Sequence, residues 1–276
     1  LKLKQSVGVS LFEQTLKAIL LGVVQGLTEW LPVSSTGHLK ILEYLFSLDV
    51  PMLFDITLHF GTLIVVSTFF RRDIKLVLKA LANVDFKTEH GRLIPLIIVG
   101  TVPTAVIGWF FSEFLIDVLQ NLSIIAIAFM ACGVFLYIAK TRIGEINTIG
   151  FREAFLIGVA QGFAVVPGLS RSGLTISTAL LLGIKREKAF RFSFLLSVPT
   201  IMGALALTIH REFSILAASN MGFAEVAVGT FTASFVGFLA LKLLWKVLVK
   251  GKLHIFAFYC WALGLTVLLA LFFGVF

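Results

Sequence analysis

Two short polar stretches stand in an otherwise apolar chain. Residues 22–38 read GVVQGLTEWLPVSSTGH and carry Gln25, Glu29, Ser34, Ser35 and His38; residues 158–175 read GVAQGFAVVPGLSRSGLT and carry Ser170, Arg171, Ser172 and Thr175. An arginine presents five N–H donors in a rigid fork that suits phosphate or carboxylate. A charge inside a membrane is costly and marks a cavity or a function. The hydroxyls of Ser170, Ser172 and Thr175 flank Arg171, and a helix starting there would add free N–H groups that bind anions. The stretch reads as a phosphate cradle. The plainer reading is a structural ion pair between Arg171 and Glu29, and the two are compatible.

Gln25 and Glu29 are four residues apart, so they share one helix face. Glu29 is a candidate ligand for a hard divalent cation, or a group that orients water or another side chain. Gln25 is at most a neutral ligand or hydrogen-bonding partner. His38 could move a proton, attack phosphorus or bind a metal; the plainer reading is a satisfied core histidine. Asp55 and His59 form a weaker pair, placed near the mouth of a cavity.

The two stretches are one motif written twice. Gly22, Gln25, Gly26, Ser34 and Gly37 match Gly158, Gln161, Gly162, Ser170 and Gly173, always 136 residues apart. Glu29 and His38 occur only in the first copy and Arg171 only in the second. Such asymmetry at repeated positions points to chemistry rather than scaffolding. The copies are expected to build one polar site together.

The elements that must position these residues follow from composition. The chain has 276 residues, 58% hydrophobic and 14% charged, against about a quarter charged in a soluble domain. Apolar stretches near membrane length occur at 54–70, 93–111, 122–139, 192–209, 223–241 and 254–276. Pro32 breaks the first motif and Pro167–Gly168 the second. Ser34, Ser35 or Thr36 is the candidate cap of the helix after the first break, Ser170 or Ser172 after the second. Each motif then reads as a re-entrant helix hairpin, 8–47 and 151–183, whose broken backbone lines a cavity. The expectation is an all-α, polytopic integral membrane protein: a single membrane domain over 1–276, with inverted-topology repeats over 8–140 and 151–276, two re-entrant hairpins and six full spans. Three spans per half put the second half upside down, as in many transporters. Cys132 and Cys260 read as buried small hydrophobes. The first ten residues carry no signal-peptide pattern.

Charge sorts by side under this topology. Of 23 basic residues, 17 fall on one face: Arg71 to Arg92, Lys140, Arg142, Arg152, Lys185 to Arg191, and Lys242 to Lys252. The positive-inside rule makes that face cytoplasmic. Both termini and the cavity mouth are then expected outside. The net charge of +8 needs no nucleic-acid partner.

Gln25, Glu29, Pro32, Ser34, Ser35, Gly37 and His38, with Pro167, Gly168, Ser170, Arg171, Ser172 and Thr175, closely resemble the two motifs of the undecaprenyl pyrophosphate phosphatase (bacitracin resistance protein) family. The resemblance runs nearly end to end, including an FSF segment at 192–194. Gln25 stands where a second glutamate is an alternative, which removes one candidate metal carboxylate. The resemblance implies a plasma-membrane hydrolase that converts a polyprenyl diphosphate to the monophosphate and recycles the lipid carrier of cell-wall polysaccharides. It also implies a divalent cation, Mg2+ or Ca2+, with Glu29 as ligand. Arg171, Ser170 and Thr175 would hold the phosphates, joined by Gln25, Ser34 and Ser172. Ser35 would attack with His38 as base, although His38 or water are open alternatives. The rival function is a secondary transporter or flippase for an anionic lipid or solute; a non-catalytic binder of the lipid carrier is a third. Small residues in the spans suit packing within one chain, with a homodimer left open.

Overall fold

The computed structural model describes residues 11–46, 52–141, 144–211 and 223–275. Lys2, Lys4 and Arg142 of the charge argument, and the first ten residues, lie outside them. The elements of the described chain are helices, joined by short irregular segments with one isolated parallel bridge between Ile146 and Ile184. The order is α1 (Leu11–Trp30), α2 (Ser35–Phe46), α3 (Met52–Phe69), α4 (Arg71–Ala82), α5 (Leu93–Phe114), α6 (Ile116–Leu119), α7 (Leu122–Ile138), α8 (Phe151–Phe163), α9 (Arg171–Leu181), α10 (Arg186–Arg211), α11 (Phe223–Val249) and α12 (Ile255–Phe272).

Among the described residues, four helices are long and apolar enough to cross a membrane: α5, α10, α11 and α12. They match four of the six expected spans, and the protein is an all-α, polytopic membrane protein. The other two expected spans are α3 and α7. Helix α7 is apolar but has 17 residues. Helix α3 runs to Phe69 and bends by 80° into α4; if this bent pair is one span, the number is five. Residues 71–82 hold four of the basic residues placed on the cytoplasmic face by the charge argument. Their apolar members recur at helical spacing among Arg71, Arg72, Lys75 and Lys79, so they form an amphipathic helix.

Both motifs fold as helix, break, helix. Helices α1 and α2 pack on each other across residues 31–34, and α8 and α9 across residues 164–170. The motif glycines let α1 and α8 approach distant helices closely. A Cβ on Gly22 would lie 2.7 Å from the Gly229 carbonyl oxygen, and one on Gly26 would lie 2.5 Å from that of Ala233, both on α11. A Cβ on Gly158 would lie 2.1 Å from the Gly100 carbonyl oxygen of α5. Each motif's first helix therefore packs along a helix of the other half. Helices α7 and α12 close the molecule side by side: Gly133 faces Trp261, and the Trp261 indole donates to the Met130 carbonyl at 3.1 Å. Cys132 and Cys260 are buried free thiols in this seam.

The buried core runs through the middle of this arrangement. Phe190, Phe194, Phe70 and Trp245 form an aromatic cluster, and Trp30 reaches it through Phe194 at 5.4 Å between ring centroids. Trp30 directly follows Glu29, so the core packing itself fixes where that carboxylate points.

Candidate active site

The breaks end in helix starts, and the local sequence explains each. Ser34 precedes α2 with φ of 67°, and its hydroxyl accepts from Gly37 N at 3.4 Å. Ser170 precedes α9 in an extended conformation, and its hydroxyl accepts from Gly173 N at 3.2 Å. Of the expected capping residues, Ser34 and Ser170 therefore take the role, at the repeated position. Ser34 also accepts from Gly168 N at 3.0 Å. One hydroxyl thus caps its own helix and ties the first break to the second. Gly168 has φ of +98°, and a Cβ there would meet the Ile125 carbonyl oxygen at 2.4 Å; only glycine suits it.

Glu29 lies at the meeting point. Its Oε1 pairs with Arg171 Nη2. Its Oε2 accepts from Ser35 Oγ at 2.6 Å and from Gln25 Nε2 at 3.0 Å. His59 Nδ1 is 3.1 Å from the same Gln25 nitrogen and 3.7 Å from Glu29 Oε2. Asp55 Oδ1 lies 3.9 Å from His59 Nε2. The expected ion pair across the two breaks is therefore made, with the carboxylate buried. A buried charge needs such a partner and filled lone pairs. Arg171 stacks its guanidinium over the Trp30 ring, 5.8 Å from the centroid.

Thr175 donates back to the Arg171 carbonyl at 2.9 Å, and the Ser172 hydroxyl lies 3.2 Å from that of Ser170. A small pocket opens beyond Arg171, lined by Trp30, Ser172, Thr175, Ser193, Phe194 and Ser197.

His38 is placed differently from the expected pairing. Its Nδ1 bonds the Ser34 carbonyl at 2.7 Å and its Nε2 the Tyr259 hydroxyl at 2.6 Å. Its ring stacks on Tyr259, with centroids 5.6 Å apart. Ser35 is therefore hydrogen-bonded to Glu29, not to His38. The reason is helical geometry: His38 is one turn into α2 and bonds back to the residue before the helix.

The sequence reading missed Trp30 and Tyr259. Trp30 carried a weak signal as an aromatic beside the site glutamate. Tyr259 carried none, since it lies in an apolar stretch far along the chain. Gln161, the repeat mate of Gln25, donates to the Thr104 hydroxyl at 3.3 Å and to the Thr200 hydroxyl at 2.9 Å, which makes it a tie between helices.

Among the described residues no group of three or more His, Cys, Asp or Glu side chains converges to hold a metal. The oxygen donors nevertheless suit a hard cation: Gln25 Oε1 is buried without a partner beside the Glu29 carboxylate.

A profile of the family described as "Bacitracin resistance protein BacA" matches residues 18–266, which include both motifs. The chain is similar to a protein named undecaprenyl-diphosphatase from Desulforapulum autotrophicum, 42% identical over 92% of this chain and 97% of the relative. A protein of the same name from Carboxydothermus hydrogenoformans is 42% identical over 91% and 95%. "Undecaprenyl-diphosphatase 4" from Bacillus thuringiensis subsp. konkukian is 40% identical over 95% and 99%. With the family profile matching residues 18–266 and these relatives similar over nearly the whole length of both chains, the chain belongs to the bacitracin resistance protein BacA family.

Proposed function

We propose that the chain is a membrane phosphatase that hydrolyses undecaprenyl diphosphate to undecaprenyl phosphate and inorganic phosphate. The reaction returns the lipid carrier to cell-wall polysaccharide synthesis. The observation that carries the mechanism is the Ser35–Glu29–Arg171 constellation, in which a nucleophile from one break and a cation from the other share one carboxylate, the base.

Ser35 Oγ attacks the terminal phosphorus while Glu29 takes its proton. The bond from phosphorus to the bridging oxygen breaks, and the prenyl phosphate leaves, taking up that proton. Water then cleaves the phosphoserine, and inorganic phosphate departs. Arg171 and the N–H groups at the starts of α2 and α9 face the charge that builds on the phosphoryl oxygens. Such electrostatic help is the main protein contribution to phosphoryl transfer. Ser170, Ser172 and Thr175 hold the second break in shape around Arg171, and Ser34 locks it to the first. Glu29 and the orphaned Gln25 Oε1 would hold Mg2+ or Ca2+, which would offset negative charge on the diphosphate. His38 orders the start of α2 and offers a second proton acceptor towards Tyr259.

The wider architecture is read as a single membrane domain of two inverted repeats, with six spans and two re-entrant hairpins. The exchange of glycine-lined contacts supports it: Gly22 meets Gly229 as its repeat mate Gly158 meets Gly100. Sidedness has support in the ion pairs. Glu89 bonds Lys188 and Arg191, and Asp73 bonds Arg191, all on the face assigned to the cytoplasm. Arg211 bonds Glu113 on the other face. The protein then sits in the plasma membrane with its termini and cavity mouth outside, where a lipid diphosphate enters laterally. A monomer or a homodimer is compatible with this reading.

The test is phosphate release from a polyprenyl diphosphate in detergent, with and without chelator, for wild type, Arg171→Ala and Glu29→Gln. Chelator-sensitive release, lost in both variants, is expected. No release from folded wild type under several metals and lipids would return the transporter reading. A rapid-quench phosphoenzyme is expected on Ser35; finding it on His38 would overturn the assignment of the nucleophile.

A further inference from the structure

Helix α4 divides its side chains among three faces. Asp73 and Ala80 turn inward: Asp73 pairs with Arg191 Nε at 2.6 Å, and Ala80 is buried. Ile74, Leu78 and Leu81 follow at helical spacing on a second face, where Leu78 is 58% exposed and Leu81 50%. Arg71, Lys75 and Lys79 are four residues apart and Arg72 is three before Lys75, so they share the third face. All of them are exposed, and none has an ion-pair partner among the described residues. Asp73, the one acidic residue of the helix, is turned away from them.

The bend before α4 fixes how these faces lie. The chain turns by 80° between α3 and α4, and Phe70 holds the turn by packing on Phe190 and Phe194. A helix turned this far from a membrane-spanning one runs along the bilayer surface rather than into it. An exposed apolar stripe beside a cationic stripe is then the arrangement of a helix seated in the interface. Its leucines enter the acyl boundary, and the long arginine and lysine stems reach up to the headgroups. A soluble anion would answer the charges and leave the leucines in water. An anionic lipid covers both.

We propose that α4 is an interfacial helix whose outer faces bind anionic phospholipid, with Arg71, Arg72, Lys75 and Lys79 on the headgroup phosphates and Leu78 and Leu81 against the acyl chains. The guanidinium forks of Arg71 and Arg72 suit a phosphodiester, and the lysines add point charges beside it. Bound lipid braces the bend. Phe70 there stacks on Phe194, and Phe194 packs on Trp30, the neighbour of Glu29. The inference rests on the membrane-spanning fold and not on the phosphatase reading; α4 carries none of the residues assigned to the reaction.

The experiment follows the melting temperature of the purified protein in neutral detergent as phosphatidylglycerol is added, with no substrate present. Phosphatidylcholine and soluble glycerophosphate are the comparison ligands. A ligand that binds the folded state raises the melting temperature. Wild type is compared with Lys75→Gln/Lys79→Gln, with the same pair joined by Arg71→Gln and Arg72→Gln, and with Lys250→Gln/Lys252→Gln, which removes exposed cations elsewhere. Each basic residue near an anionic lipid surface is worth about fivefold in binding. Phosphatidylglycerol is expected to raise the wild-type value, less so at high salt, and the comparison ligands are not. The lipid concentration for half the effect is expected to rise by about tenfold or more in the α4 double variant. The effect should vanish in the quadruple variant, while the Lys250/Lys252 variant stays near wild type. Leu78→Gln/Leu81→Gln should weaken it with the charges intact. Equal lipid effects in wild type and the α4 double variant would overturn the proposal, as would equal losses in the two lysine double variants or a full effect from glycerophosphate. If the quadruple variant does not fold, the double variants carry the test. A protein with the α4-dependent lipid effect that releases no phosphate from a polyprenyl diphosphate would sink the phosphatase reading and leave this one standing. A working phosphatase indifferent to phosphatidylglycerol would do the reverse.

Discussion

The chemistry at the residue scale turns on how Glu29 divides its two oxygens. One is committed to Arg171 and the other to Ser35 and Gln25. Glu29→Gln should therefore lower kcat by about 100- to 10,000-fold, the range for losing a positioned base. It should also cost stability, because it leaves the partly buried Arg171 cation beside a neutral amide; the loss should stay below the ~3–5 kcal/mol that removing one partner of a fully buried pair costs. Thermal melting of the purified variant checks the second part. Tyr259 allows a finer test. Tyr259→Phe keeps the ring stacked on His38 and deletes only the bond to Nε2. We expect kcat to fall several-fold with KM little changed, since a neutral hydrogen bond is worth about 1 kcal/mol. Steady-state kinetics separate the two, and a change confined to KM would remove Tyr259 from the positioning of His38.

Close backbone approach decides the packing at the element scale. Gly158→Ala places a methyl 2.1 Å from the Gly100 carbonyl oxygen. Backbone cannot swing aside as a side chain can, so α8 must shift from α5. A loss of about 1–3 kcal/mol is expected, the usual cost of overpacking. Gly203→Ala, in the interior of α10, is the counterpart. Nothing lies within 4 Å of its added Cβ, and the better helix propensity of alanine should gain up to about 1 kcal/mol. Opposite signs from one chemical change, read by melting temperature, would show that contact and not propensity governs α8. Because α8 leads into the second break, Gly158→Ala should also reduce activity by displacing Arg171 from Glu29.

At the scale of the whole molecule the charges report sidedness. Cysteines introduced singly at Lys250 and at Glu113, in a background lacking Cys132 and Cys260, should label differently in intact cells. A membrane-impermeant maleimide should reach position 113 and not position 250; the converse pattern would invert the topology. The Glu89 cluster adds a pH prediction. Hydrogen bonds from Lys188 and Arg191 pull the Glu89 carboxyl down to about 2. The folded state thus favours the ionised form, and the linked stability is present above the ordinary carboxylate pKa of about 4.5. It declines as pH falls below that value and is gone below about 2. Glu89 is 63% exposed, so the contribution is small, within the range of about 0–1 kcal/mol for surface pairs. Melting temperatures of wild type and Glu89→Gln should therefore differ slightly at pH 7 and converge as pH is lowered towards 3.

The sequence alone determined the class of the molecule and the identity of the polar site. Membrane-spanning helices demand long apolar runs, and broken helices demand proline, glycine and capping hydroxyls, so both are written locally. The repeat offset then singled out Glu29, His38 and Arg171 as the positions where the copies differ. Tertiary structure alone decided the partners. Residues 29 and 171 are joined through helices packed against the opposite halves, and no local rule says which side chain a folded hydroxyl will meet. That is why Ser35 bonds Glu29 while His38 turns to Tyr259, and why Trp30 lies under Arg171. The bend at Phe70 is also a tertiary outcome. An apolar helix followed by an amphipathic one can continue straight or turn, and the packing of Phe70 against Phe190 and Phe194 holds the turn here.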